Sequence, residues 1–222
     1  MRLLMALVFM AGMAAAQAHT YPPLSEYMMP REAEIALAKS GAPASISDHA
    51  TIKVLTESGY QVARQGDNGF VCIVLRGWTA PTYGPAVLRD LVYDAHLRGP
   101  ICLNPPAVKT VLPYYDLRTK LGMEQKSPDE ITAAIESAYS QGQIPPWDPA
   151  SMGFMWSADQ AIGPGGEHWH PHMMLFIPYA NDATVGGSPI GPLPAIGEGA
   201  GTPFSVILIP VDDKLAVKAQ QN

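Results

Sequence analysis

Three of the six histidines of this chain fall between positions 168 and 172, in the run Glu167-His168-Trp169-His170-Pro171-His172-Met173-Met174. Neutral imidazole is a ligand for zinc and for copper, and thioethers suit Cu(I), so His168, His170 and His172 form a candidate metal site with sulfur close by. In an extended segment alternate residues point to one face, which would bring the three imidazoles to one side. Glu167, next to them, is placed to orient an imidazole or to act as a base. The same alternation separates the sulfurs: Met174 shares a face with His172, whereas Met173 points away, and a Met in an apolar strand usually fills core. The competing reading is a polar strand start with exposed histidines, since Pro171 suits a strand edge or beginning.

A second copper chemistry could start at the other end of the chain. Met1-Arg2, an apolar run from Leu3 to about Ala16 and the triplet Ala16-Gln17-Ala18 follow the order of a secretory leader with an A-x-A cleavage signal. Residues 1–18 are therefore expected to be removed. A cut after Ala18 makes His19 the first residue, and its free amine and imidazole could then chelate Cu(II). Ala14-Ala15-Ala16 offers a rival cut that would abolish the chelate.

Other reaction classes lack their residues. No G-x-S-x-G or S-x-x-K motif is present, and Ser45, Ser47, Asp48 and His49 read as turn chemistry ahead of a strand. Gly163-Pro164-Gly165-Gly166 is not followed by the Lys-Ser/Thr pair and helix of a phosphate loop. Asp212-Asp213 reads as a solvated end. Trp78, Tyr83, Trp147, Trp156 and Trp169 lie at or near expected loops, where a carbohydrate or lipid-like ligand could stack on them.

The whole chain carries 14 Lys and Arg against 20 Asp and Glu, and losing Arg2 with the leader takes the net charge from −6 to about −7. Nucleic acid and anionic lipid are poor partners for such a chain, and Arg118 with Lys120 is its nearest approach to a basic patch. The leader's apolar run is shorter than the roughly 20 residues of a spanning helix. The later apolar runs, 173–179 and 204–211, have strand length and contain proline, so no membrane span is expected after cleavage. The two cysteines, Cys72 and Cys102, are expected to form a disulfide in an exported protein. Without C-x-x-C spacing its role would be structural.

About 200 mature residues suit one domain, here 19–222. Helices are expected over Arg31–Lys39, Ala86–Leu97, Val108–Leu121 and from Pro128 to about Gln141. Pro113 should kink the third or mark its true start. The last has the clearest boundary, with Ser127 as N-cap, Pro128 first in the helix and Glu130 at N3, and Ile131, Ala134, Ile135 and Ala138 as its buried face. Strands are expected at 50–55, 59–65 and 69–76 as an antiparallel meander, with Asn68-Gly69 as a turn, and then at 153–158, 172–179 and 204–211. Residues 181–202 form a long Gly/Pro-rich loop, a lid or a disordered stretch. The expected fold is α+β: one mixed or antiparallel sheet of about six strands with three or four helices packed on one face.

Ala42-Pro43-Ala44-Ser45-Ile46-Ser47, then Gln65 to Cys72, the strand Pro171-His172-Met173-Met174-Leu175-Phe176-Ile177-Pro178 and the final strand from Thr202-Pro203 to Pro210-Val211 resemble a family of uncharacterised secreted bacterial proteins. The likeness spans about half of the chain. It implies export and these strands, brings no known activity, and weights His172 above His168 and His170.

These readings converge on a periplasmic or secreted domain that binds a small molecule or a protein without catalysis. The alternative is a zinc- or copper-dependent enzyme centred on His168, His170 and His172.

Overall fold

A computed structural model describes residues 21–83, 86–186 and 194–220. The expected leader 1–18 and the N-terminal chelate at His19 lie outside the described residues. The fold is α+β around one mixed sheet of eight strands: β1 (Thr51–Thr56), β2 (Gly59–Arg64), β3 (Val71–Leu75), β4 (Gly99–Leu103), β5 (Met152–Met155), β6 (His172–Phe176), β7 (Ala195–Glu198) and β8 (Val206–Pro210), in the order β2-β1-β3-β4-β5-β6-β8-β7. Every neighbouring pair is antiparallel except β1 and β3.

That exception corrects the expected meander. β1 and β2 form a hairpin, but the chain then returns along the start of β1, so β3 begins beside it in the same direction: Thr51 N donates to Phe70 O, and Asp67 N to His49 O. The crossing is so close that a Cβ on Gly66 would lie 2.3 Å from His49 O, a distance only glycine avoids. Asn68-Gly69 does turn, with Gly69 at φ 78° and Asn68 accepting from Phe70 N, but it serves this return and no hairpin.

The count of about six strands falls short by β4 and β7. β4 opens on Gly99-Pro100, residues common in turns, yet it is fully buried and central. It tolerates Pro100 because β5 pairs with β4 only from Cys102 onward, so no ladder partner is lost on that side. β7 lies inside the stretch 181–202 expected as a loop, which also holds a helical turn at Asp182–Val185.

Helices also cover both faces, where one was expected. On one face Leu37 and Ala38 of the helix Arg31–Lys39 pack with Ile52, Cys72, Val74 and Cys102. On the other, Val71, Ile73, Leu75, Ile101 and Leu103 meet Tyr114 and Tyr115 of the helix Leu112–Met123 and Ile131 and Ile135 of Pro128–Ser140. The strands with helices on both sides, β3 and β4, are buried at every position. This is the burial that makes their sequences run apolar instead of alternating. Short helices at 24–27, 44–47, 86–89 and 105–110 raise the number above four.

Helix starts follow their local chemistry. Ser127 and Glu130 form a capping box before Pro128–Ser140, whose Ile131, Ile135 and Ala138 are buried. Pro113 sits in the first turn of Leu112–Met123, separated at Val111 from the helix Pro105–Thr110. The disulfide joins Cys72 to Cys102, residues directly opposite on β3 and β4, so both of its ends lie in strands.

Candidate functional site

β6 begins at His172, so the expected strand alternation does not reach back to His168 and His170. Both belong to a flap that Pro171 ends. At its base Ala161 bridges to Arg98 on one side and to His168 on the other. At its tip Gly165 and Gly166 take positive φ, and Gly165 N donates to Asp94 Oδ2 at 2.7 Å. Gln160 Nε2 donates to Trp169 O at 2.8 Å and holds the descending arm.

The three imidazoles have separate environments. His170 is exposed, with Nδ1 3.0 Å from Asp213 Oδ1. His168 is exposed, with Nδ1 3.3 Å from Gln160 O. His172 is only 3% exposed, and its Nδ1 lies 2.9 Å from His170 O. Among the described residues no group of three His, Cys, Asp or Glu side chains is placed to hold a metal ion. Met173 lies on the face opposite His172, accepting from Trp156 Nε1 at 3.2 Å, as alternation requires. Met174 shares the face of His172.

That face is the floor of a cavity of about 480 Å³. Cross-strand pairs lay the floor: Leu75 with Gly99, Met155 with His172, Met174 with Leu208, and Val206 with Glu198. Gly99 has no side chain between Ile162 and Met155, each of which a Cβ there would meet at 3.2 Å. The opposite wall is Thr79-Ala80-Pro81 with Leu88, Leu91 and Leu97. Glu167, His168 and Trp169 of the flap border it, and the Trp169 ring stands 4.8 Å from the His172 ring, tilted by 66°.

Three ionisable side chains are buried on this lining, Tyr115, His172 and Glu198, and burial acts on each, holding the Tyr115 phenol well above its ordinary value. It lowers the His172 pKa from 6.5 to about 4, against the smaller raising effect of the His170 carbonyl. It raises the Glu198 pKa, opposed by Arg118. Glu198 Oε1 accepts from Arg118 Nη1 at 3.1 Å and from the Tyr114 hydroxyl at 3.3 Å. Arg118 also donates through Nε to Trp78 O at 2.9 Å and through Nη2 to Ala80 O. The guanidinium thus fastens β7 and the Trp78–Ala80 wall to one helix. Far from contributing to a basic patch, Arg118 is fully buried.

The other aromatic candidates divide between core and rim. Trp78 and Trp147 are buried, and Trp147 meets Tyr114 and Phe176 edge-on at 5.2 Å each. Trp169, 41% exposed, is the tryptophan that lines the cavity. Sequence reasoning missed Glu198, hidden in a Gly/Pro-rich stretch, and missed the pairing of Arg118 with Tyr114. The i,i+4 spacing of those two on one helix was the available signal.

No protein-family model, curated protein or solved structure matches this chain. Its chemistry must be read from the cavity. The floor offers apolar surface, one imidazole held neutral and one carboxyl group already engaged by a guanidinium. Such a lining can desolvate a hydrocarbon body and orient it by a few polar contacts.

Proposed function

We propose that this chain is an exported binding protein for a small, mainly apolar molecule, taken up between the sheet and the wall of Thr79, Ala80, Pro81, Leu88, Leu91 and Leu97 and acting without catalysis. The observation that carries this reading is the cavity of about 480 Å³ with a largely aliphatic lining, within the size range of small-molecule sites. His172 supports binding over acid–base work. An imidazole titrating at about 4 is a weak base at neutral pH, and no described hydroxyl, thiol or carboxylate hydrogen-bonds to it. Export is supported by the leader-like N-terminus and by the Cys72–Cys102 bond, which persists in oxidising compartments. Among the described residues no helix is long and apolar enough to cross a membrane.

The test is titration with N-phenyl-naphthylamine, an uncharged dye that fluoresces on leaving water. The parent should bind it at micromolar concentration. Met174→Trp, which fills the floor, should weaken binding by about tenfold or more, as lost burial of a few methylene equivalents predicts. Equal binding by parent and variant, or none by the parent, would remove this reading.

A further inference from the structure

His172 sets one fixed acceptor into the cavity floor. The His170 carbonyl oxygen can only accept, so His172 Nδ1, 2.9 Å away, is the protonated nitrogen. In the neutral ring Nε2 is then a bare acceptor, and it has no hydrogen-bond partner among the described residues. With Nδ1 turned back onto the backbone and the residue forming cavity floor, Nε2 is the ring nitrogen left for an occupant. The residue is 3% exposed, so bulk water does not serve that nitrogen freely.

Three other buried polar side chains line the cavity: Thr79 Oγ1 donates to the Arg76 carbonyl, Tyr115 is kept a neutral phenol by burial, and Glu198 is already supplied. Glu198 accepts from Arg118, from Tyr114 and from the Thr82 backbone. Arg118 directs its remaining hydrogen bonds to the Tyr114 hydroxyl at 2.7 Å and to the Trp78 and Ala80 carbonyls. Neither a free carboxylate for a cation nor a free guanidinium for an anion is presented from the floor. A charged occupant would have to lose its hydration without a counter-charge there, which the apolar lining makes costly.

We propose that the cavity selects an uncharged apolar molecule carrying one hydroxyl or comparable neutral donor, which donates to His172 Nε2. This rests on the binding reading above and specifies the ligand class. The recognition is asymmetric, because an occupant without the donor leaves a buried acceptor unmet. The Trp169 ring packs edge-on against the imidazole at that end of the site.

Three probes with one ring system separate the possibilities: naphthol, its methyl ether, and naphthoate, each titrated by calorimetry near pH 7. Naphthol should bind about three- to tenfold more tightly than the ether, the worth of one neutral hydrogen bond, and naphthoate most weakly. In His172→Phe the preference for naphthol over ether should vanish while both still bind, which also reports an intact fold. His172→Gln, which restores an acceptor, should recover part of it. Independently of any variant, the nitrogen-15 resonance of His172 Nε2 in the parent should move upfield with naphthol and stay in place with the ether. An unchanged preference in His172→Phe, a still resonance, or tightest binding by naphthoate overturns the donor proposal while leaving a binding cavity. Failure of all three probes and of the naphthylamine dye overturns both.

Discussion

Burial of His172 couples its protonation to stability. Its folded pKa of about 4 lies below the ordinary 6.5, so between those values the unfolded chain binds more protons than the folded one. The contribution of neutral His172 is therefore complete above the unfolded value and is lost as the pH falls towards the folded one. Between pH 7 and pH 5 the loss should be about 2 kcal/mol. Glu198 shifts in the opposite sense, and Glu167 and His168 border the same cavity, so the parent's acid profile alone is not diagnostic. The difference between parent and His172→Phe in urea unfolding isolates it: the variant should lose about 2 kcal/mol less over that interval. Parallel pH profiles would show that His172 is not held neutral by burial.

Single elements differ in how far they can be read before folding. The boundary at Pro128 was legible because Ser127, Pro128 and Glu130 act within one turn, and the break at Pro113 for the same reason. β4 was not, because its place between β3 and β5 comes from partners distant in sequence, and Gly99-Pro100 imitates a turn. The same holds for the histidines. Their spacing was plain, but the start of β6 at His172 leaves His168 and His170 in the flap and one imidazole on the cavity floor. Glu198 is the extreme case, since only the docking of β7 on β8 brings it to Arg118. That pairing predicts an asymmetry between substitutions. Arg118→Met leaves Glu198 buried without its cation and two carbonyls without donors, and should cost about 3–5 kcal/mol in denaturant unfolding. Glu198→Gln keeps a hydrogen-bonding group and should cost roughly 1–3 kcal/mol. Similar losses for both would mean that the guanidinium does not organise the wall.

At the scale of the whole molecule, the sheet separates two cores, each with a buried ion pair beside it. Glu34, from the helix on one face, takes Arg76 Nη2 at 2.8 Å and Leu55 N at 3.0 Å just beyond the end of β3. Arg118 and Glu198 do the corresponding work around the cavity. The overall class, α+β with one mixed sheet, follows from alternating apolar runs and strong helix starts. The two-sided covering does not, because the helix Arg31–Lys39 shows only Ile35, Leu37 and Ala38 as an apolar stripe and hides a buried Glu34.

The bond between Cys72 and Cys102 closes a ring across a sequence separation of 30, and that ring contains Thr79, Ala80, Pro81, Leu88, Leu91 and Leu97 of the cavity wall. A protease that cuts once anywhere in the wall therefore opens a loop without releasing a fragment. The nicked protein should migrate as one chain in denaturing electrophoresis without reductant and as two with it. Two bands without reductant would mean that the cysteines are not joined. Because the severed ends stay bound to adjacent strands, the nicked form should also retain the sheet and resist further digestion. Protection of this kind suits a protein whose surroundings contain proteases.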